Sequence, residues 1–151
     1  QKTAEVIDWV RPLLPDNKTR YTMGVGLNPQ DLIDVVAKGI DIFDCVGPTR
    51  NARHGALYSG KFVIENNWLK FDSEFSKQRL QIKRAEFAKD ERPLMEDCSC
   101  HTCQNYSRAA LHHLFKKKSV LFANLASIHN VNVMHETCRK MRELINNNAA
   151  D

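Results

Sequence analysis

Apolar and polar positions follow two different periods along the first third of the chain, and together they predict a βαβ unit. A helical period covers residues 1–14, with an apolar stripe made of Val6, Trp9, Val10 and Leu13. A short strand is predicted over 21–25, and Asn28 is a good N-cap for the helix that follows. That helix ends at Gly39, and a second strand begins at once with Ile40. Two strands joined by one helix in this way are expected to be parallel.

The second strand and the segment after it hold the candidate chemistry of this region. Asp44 falls near the carboxyl end of a short buried strand, Gly47-Pro48 closes the strand, and a basic loop with Arg50 and Arg53 follows. Ligands of α/β sheets bind at that end of the strands, and guanidinium groups suit phosphate. The pattern is typical of an enzyme that acts on a nucleotide. Spacing alone also allows a plainer interpretation, in which Asp44 caps a loop and both arginines are solvated.

From Gly55 onward the pattern changes to short strands separated by turns. Runs rich in β-branched and aromatic residues predict an antiparallel meander. Its strands are expected at 57–58, 61–64, 68–71 and 80–82. The basic residues of this region either contact phosphates or belong to a solvated face of the sheet; they are Lys77, Arg79, Lys83 and Arg84. We place a domain boundary here, between 1–54 and 55–151.

Three helices are predicted after the strands. The first runs from Gln104 to Lys118, and the second begins at the cap Ser119. The third spans Val131 to Ile145, and its apolar stripe is expected to face the core. That stripe consists of Val131, Met134, Cys138, Met141 and Ile145. The tail 146–151 is expected to fray.

Three cysteines in the spacing C-x-C-x-x-C precede the first of these helices. Cys98, Cys100 and Cys103 can converge on one tetrahedral ion, whereas so tight a spacing disfavours disulfides among them. The candidates for a fourth ligand are His101, His112, His113, His129, His135 and Cys138. We favour His129, because an antiparallel return of the chain after the second helix would bring it beside the cysteines. A zinc ion with four protein ligands has no open position, so we expect it to be structural.

The bulk composition is compatible with this picture. The 151 residues carry a net charge of +4 and the pI is about 8.8, which is mildly basic and compatible with RNA. Five cysteines, three of them within six residues, argue against a disulfide framework and for a reducing, cytoplasmic location. No apolar run approaches the length of a membrane helix. Because the first residue is glutamine, we expect a trimmed chain or a fragment.

Three segments of the chain resemble motifs of the bacterial tRNA-guanine transglycosylases. They are YTMGVG at 21–26, FDCVGPTRNAR at 43–53 and CSCHTC at 98–103, and they occur in the family's order. The resemblance extends from Tyr21 to Ile145. The family exchanges the wobble guanine of certain tRNAs for a queuosine-pathway base. The resemblance therefore implies two partners, a tRNA anticodon loop and a 7-deazaguanine base.

The resemblance also implies roles for individual residues. Asp44 matches the nucleophile that attacks the ribose, and His129 matches the fourth zinc ligand. The residues that line the base pocket are matched by Met23 and Gly24, and those that hold the anticodon loop by Arg50 and Arg53, with Thr49 beside them. These assignments predict base exchange through a covalent bond between Asp44 and the ribose.

The family fold is a (β/α)8 TIM barrel, which needs about 250 residues. We therefore expect this chain to be the C-terminal portion of the enzyme. It would hold the last βαβ unit of the barrel, an inserted antiparallel sheet and a helical zinc-binding subdomain. The family's acid/base and base-reading carboxylates lie upstream of this portion, so the chain alone is expected to be inactive.

The chain departs from the family pattern at three places. His54 replaces a common asparagine, the segment 55–83 is longer than usual, and Ala110 stands where relatives often carry an aromatic used in subunit contact. The last departure leaves a homodimer open. Two other interpretations remain: a non-catalytic zinc-bound module that binds tRNA or another partner, and a zinc ribbon unrelated to tRNA. The segment around Asp44 argues against the ribbon, which does not need it.

Overall fold

The computed structural model describes residues 2–148 and shows a mixed α/β chain. The elements in chain order are α1 (Lys2–Val10), β1 (Tyr21–Met23), α2 (Pro29–Ala37), β2 (Ile42–Asp44), α3 (Gly47–Arg53), β3 (Ala56–Tyr58), β4 (Lys61–Glu65), β5 (Trp68–Asp72), β6 (Arg79–Gln81), α4 (His101–Asn105), α5 (Arg108–Lys116) and α6 (Val120–Asn148). Short 3₁₀ turns cover Arg11–Leu13, Ser76–Gln78 and Ala85–Lys89. Gln1 and the last part of the predicted tail, 149–151, lie outside the described residues.

The predicted βαβ unit is confirmed. β1 and β2 pair in parallel, and Met23 lies opposite Asp44 in the register. α2 connects them and begins at Asn28, whose backbone N–H donates to the Asp31 carboxylate at 2.8 Å. The helix is followed by Gly39, whose φ of 86° suits glycine and turns the chain into β2.

β2 is not the buried strand that its composition predicts. Thr22 and Phe43 lie on the half-buried face of the β1–β2 pair, and Phe43 packs against the core. The opposite face is exposed and carries Tyr21, Met23, Ile42 and Asp44. Side chains alternate across a strand, and the described helices cover one face of this pair. The predicted stripe of α1 is also exposed, at Val6, Trp9, Val10 and the following Leu13, whereas Ile7 is buried.

The segment after β2 is a helix, α3, and not the predicted loop. Pro48 lies in its first turn, where a missing N–H leaves no helical hydrogen bond unmade and the fixed φ suits the helix. The strand has already ended at Asp44, so Pro48 belongs to the start of the helix and does not close the strand. The helix places Arg50 and Arg53 one turn apart, and both are exposed.

The strands after α3 form two antiparallel pairs and not a single meander. β3 pairs with β6, and β4 pairs with β5. Asn66 and Asn67 join β4 to β5 with φ values of 52° and 60°, as a tight two-residue turn requires. The hairpin is fastened to α2, because the Phe71 N–H donates to Gln30 Oε1 at 2.9 Å.

The helical region differs from the prediction in two places. The helix expected over 104–118 is split into α4 and α5 by Tyr106, which is extended. Ser107 then caps α5 by accepting a hydrogen bond from the Ala110 N–H at 3.2 Å. The second and third predicted helices are one continuous helix, α6. The range 120–148 contains neither glycine nor proline, so nothing in it breaks the backbone hydrogen bonds.

One hydrophobic core includes residues from both sides of the predicted boundary. Its buried members include Ile33, Leu57, Leu80, Leu111 and Val133. The stripe predicted on α6 is only half correct: Met134 and Met141 are buried, whereas Val131 and Ile145 are exposed. The division at residue 54 stays a prediction. No helix within residues 2–148 has the length and apolarity needed to cross a membrane.

Candidate functional site

Four side chains converge between the start of α4 and the middle of α6. Cys98, Cys100, Cys103 and His129 bring one ligand atom each, and these atoms lie within 4.8 Å of one another. His129 Nδ1 is 3.8, 3.6 and 3.3 Å from the three sulfurs, in chain order. Tetrahedral zinc, with bonds of about 2.3 Å to sulfur and about 2.0 Å to nitrogen, would place such atoms about 3.5 Å apart. The cluster therefore fits a zinc ion, although His129 reaches it from within a helix and not from a return after one.

The imidazole of His129 is oriented by a contact outside the cluster. Its Nε2–H donates to the Tyr58 carbonyl at 2.8 Å, which leaves Nδ1 facing the sulfurs. Burial lowers the pKa of His129, but hydrogen bonds with Cys100 and Cys98 outweigh it and raise the pKa to about 9. Hydrogen bonds from Cys103 and Cys98 hold the pKa of the Cys100 thiol well below its usual value. Both shifts come from the close approach of these groups, and a metal cation bound among them would displace protons from the same atoms.

The other candidate ligands lie elsewhere. His112 Nδ1 is 2.7 Å from the Ile82 carbonyl oxygen, and His101 contacts the Asn105 amide at 3.2 Å. His113, His135 and Cys138 also lie outside the cluster. Cys138 packs against the core, as predicted, and burial raises the pKa of its thiol.

The exposed face of β1 and β2 presents one carboxylate among apolar side chains. Asp44 ends β2, and its Oδ1 accepts a hydrogen bond from the Tyr21 hydroxyl at 2.7 Å. This bond raises the pKa of Tyr21, so the phenol remains a donor. Met23 lies opposite Asp44, and the Gly24 N–H donates to the Asp44 carbonyl at 2.9 Å. Gly24 has a φ of 74°, which side chains other than glycine rarely adopt.

The predicted RNA-binding residues lie on α3, just after Asp44. Arg50 and Arg53 are exposed, and neither forms an ion pair with Asp44 or another carboxylate in the part of the chain that the structure describes. Thr49 is half-buried, and its hydroxyl donates to the Val46 carbonyl at 3.4 Å. The carboxylate and the guanidinium groups are therefore presented to solvent on separate elements, and are not paired.

Comparison with known proteins assigns the chain to a family. Residues 1–151 match the family model of the queuine tRNA-ribosyltransferases. The chain belongs to this family.

Queuine tRNA-ribosyltransferases from several bacteria are similar to the chain. The protein of Caldanaerobacter subterraneus subsp. tengcongensis is 44% identical over 141 residues. That of Helicobacter pylori (strain HPAG1) is 42% identical over 143 residues, and that of Halothermothrix orenii is 39% identical over 149. These alignments cover 93%, 93% and 99% of this chain but 33%, 33% and 35% of the relatives. The chain thus spans about a third of the length of the curated queuine tRNA-ribosyltransferases that it matches.

The sequence pattern does not predict the structural role of Asn130. This residue is fully buried beside His129, and its Oδ1 accepts a hydrogen bond from the Tyr58 N–H at 3.0 Å. Its Nδ2 donates to the carbonyls of Pro48 and Ala56 at 3.0 and 3.1 Å. Helix α6 therefore holds the start of α3 and the start of β3 through one amide. Only its position next to a candidate ligand marks Asn130 in the sequence.

Proposed function

We propose that this chain forms the C-terminal part of an enzyme that replaces the wobble guanine of tRNA with a queuosine-pathway base. The observation that carries the proposal is the Asp44 carboxylate, exposed at the carboxyl end of a parallel strand pair and held by the Tyr21 hydroxyl. Membership of the queuine tRNA-ribosyltransferase family supports it. Since the relatives are about three times as long as the chain, the activity is proposed for a longer protein that contains it.

The reaction proceeds through a covalent intermediate on Asp44. A carboxylate oxygen attacks C1′ of the ribose while the N-glycosidic bond breaks, and the bonding electrons leave with the guanine, which takes up a proton. The incoming 7-deazaguanine then attacks C1′ and loses a proton, and Asp44 departs as a carboxylate. Because the Tyr21 hydroxyl occupies Oδ1, the attacking atom is Oδ2, and Tyr21 fixes its direction. The groups that give and take the protons belong to the rest of the enzyme.

The recognition of base and RNA is divided between two elements. Met23 and Gly24 line the pocket for the base, which fits their place beside Asp44. Arg50 and Arg53 hold phosphates of the anticodon loop, with Thr49 beside them on α3. The target base must leave its stack to reach Asp44, at a cost of a few kcal/mol, and this favours a nucleotide in a loop.

One structural zinc ion is proposed for the cysteine cluster. Cys98, Cys100, Cys103 and His129 would hold it, and four protein ligands leave no open position for a substrate or a water molecule. The bound ion supplies a rigid crosslink between the segment before α4 and helix α6. A cluster of reduced thiols also supports a cytoplasmic location.

β1, α2 and β2 are proposed as the last βαβ unit of a (β/α)8 barrel. In that fold active sites form at the carboxyl ends of the strands, where Asp44 lies. The exposed face of Tyr21, Met23 and Ile42 would then point into the barrel, covered by strands that precede this segment. This arrangement accounts for apolar side chains on an open face.

The direct test is base exchange. An enzyme that contains this segment should incorporate radiolabelled guanine into unmodified tRNA, whereas the chain alone should incorporate none, because it lacks the groups that move the protons. Label retained on precipitated tRNA measures the reaction. Should the longer protein bind tRNA without any exchange, a non-catalytic zinc-bound RNA-binding module would replace the proposal.

Removing the arginines of α3 should weaken tRNA binding more at low salt than at high salt. Arg50→Ala and Arg53→Ala each remove a phosphate contact, and such contacts contribute through the release of counterions. Anisotropy titrations of labelled tRNA at several salt concentrations measure affinity and slope. Arg142→Ala is a control for the loss of one exposed arginine, because Arg142 lies on α6, next to Asp41 and Ile42, and not on α3. Unchanged affinity and slope in both α3 variants would remove the arginines from the RNA interface.

A further inference from the structure

A cleft of about 400 Å³ opens between the end of α3 and the turn that joins α5 to α6. Its lining includes the rings of Phe115 and Phe122, which meet edge to face at a centroid distance of 5.0 Å. Three cationic residues, Arg53, Lys116 and Lys118, also line it, and none of the described residues contributes a carboxylate. A cleft lined by charge of one sign concentrates ligands of the opposite sign, here anions.

The turn presents Lys118 through a backbone conformation that suits glycine. The Lys118 N–H donates to the Phe115 carbonyl and the Ser119 N–H donates to the Leu114 carbonyl, both at 3.0 Å. These two bonds form the Schellman motif, whose left-handed residue is most often glycine. Here Lys118 occupies that position with a φ of 52°. Folding alone therefore favours glycine at this position.

The helix dipole explains only part of the cluster. Lys116 lies in the last turn of α5, where a cation stabilises the negative end of the helix. Lys118 lies beyond that end. Within residues 2–148, neither lysine forms an ion pair with a carboxylate. Their charges are thus available to an external anion.

The cleft is continuous with α3, the helix that carries Arg50 and Arg53. Gly55 follows α3 with a φ of 76°, and a Cβ atom at this position would lie 2.8 Å from Cε2 of Phe115. The end of α3 therefore lies directly against an aromatic ring that lines the cleft. Arg53 belongs both to the cleft and to the surface proposed for the anticodon loop.

We infer that Lys116 and Lys118, together with Arg53, form a second phosphate-binding subsite. It would hold the tRNA backbone beyond the nucleotides that Arg50 contacts. The ligand is the phosphodiester chain of an RNA strand, because the cleft extends the same surface with the same charge. An acidic peptide would match the charge, but it would not account for the shared position of Arg53 in the cleft and in the surface proposed for the anticodon loop. This inference rests on the RNA contact proposed for α3.

Lys118→Gly distinguishes an effect on binding from an effect on folding. The substitution removes the positive charge, and glycine adopts the left-handed conformation without steric strain. In an enzyme that contains this segment, we expect a melting temperature equal to or above that of the parent. Affinity for a labelled anticodon stem-loop RNA should fall about threefold at low salt, and the slope of log affinity against log salt should decrease by about 0.7 to 0.9. Lys116→Ala should lower the affinity for RNA and the salt slope by similar amounts. Anisotropy titrations and thermal melts measure these effects.

Lys77→Gly is the matched control. Lys77 is exposed and left-handed, with a φ of 55°, and it does not line the cleft; we take it as part of the solvated face and not as a phosphate contact. We expect the Lys77→Gly variant to bind RNA with the same affinity and salt slope as the parent. An equal loss in Lys77→Gly, a lower melting temperature of Lys118→Gly, or parental binding by both cleft variants would each overturn the subsite.

Arg50→Ala distinguishes this subsite from the proposed function. If Arg50→Ala weakens binding and the lysine variants do not, the subsite fails and the proposed function stands. If the lysine variants weaken binding and Arg50→Ala does not, the subsite around Arg53 stands and only the phosphate contact proposed for Arg50 fails.

Discussion

Asp44→Asn is expected to lower base exchange by several orders of magnitude and to leave tRNA affinity little changed, in an enzyme that contains this segment. The amide keeps the shape of the side chain, and its oxygen still accepts the hydrogen bond from the Tyr21 hydroxyl. It is no longer a nucleophile, so the bond to C1′ cannot form. The RNA contacts proposed for Arg50 and Arg53 lie on α3 and are not touched.

The measurement is a trapping experiment on denaturing gels. The parent enzyme, incubated with tRNA and a base analogue, should give a covalent adduct, and Asp44→Asn should give none. Asp41→Asn is the matched control, because Asp41 is an exposed carboxylate just before β2. Its Oδ2 accepts the Arg20 N–H at 2.8 Å, and an asparagine oxygen would accept it equally. An adduct that persists in Asp44→Asn would mean that another carboxylate attacks the ribose.

Cys100→Ser should release the zinc ion and loosen the helices around it. Apparent binding free energies of structural zinc in small domains are about 10–16 kcal/mol, and they are part of the folding free energy. A serine hydroxyl is a far poorer ligand than a thiolate, and Cys100 would share the ion with Cys98, Cys103 and His129. We therefore expect about one zinc ion per chain in the parent and a large fall in melting temperature with its loss.

Metal analysis and thermal melts followed by circular dichroism check this prediction. Cys138→Ser is the matched control, because Cys138 is a cysteine on α6 outside the cluster. The Cys138→Ser variant should keep its zinc. Its free energy of unfolding should fall only by the small amount expected when a partly buried thiol is replaced by a hydroxyl. Full zinc occupancy in Cys100→Ser would contradict the ligand set.

The sequence was most informative where a function needs residues close together in the chain. Cys98, Cys100 and Cys103 lie within six residues of one another, so their spacing alone predicts a metal site. Asp44, Gly24 and the arginines of α3 are candidates because they stand in short motifs, and their roles stay predictions. The spacing could not show how His129 reaches the cysteines, since this depends on one helix, α6, that runs unbroken past the point where the pattern predicted two.

The remaining differences arise from tertiary context. Ile42 is a β-branched apolar residue, a type common in buried strands, yet it is exposed. Its exposure depends on which elements cover the β1–β2 pair, and no local pattern contains that information. Pro48 was interpreted as the end of a strand, although proline also favours the first turn of a helix. Asn130 looks like an ordinary polar position on α6, and its importance comes from two carbonyls far away in the sequence.

The backbone of Tyr58 links the candidate zinc cluster to α3. Its carbonyl fixes the ring of His129, and its N–H binds the amide of Asn130, which also holds Pro48 at the start of α3. The geometry of the candidate zinc cluster and the position of α3 therefore depend on the same residue. If loss of the ion displaces α3, thermodynamic linkage requires the converse: RNA bound at α3 must raise the affinity for zinc by the same factor by which zinc raises the affinity for RNA.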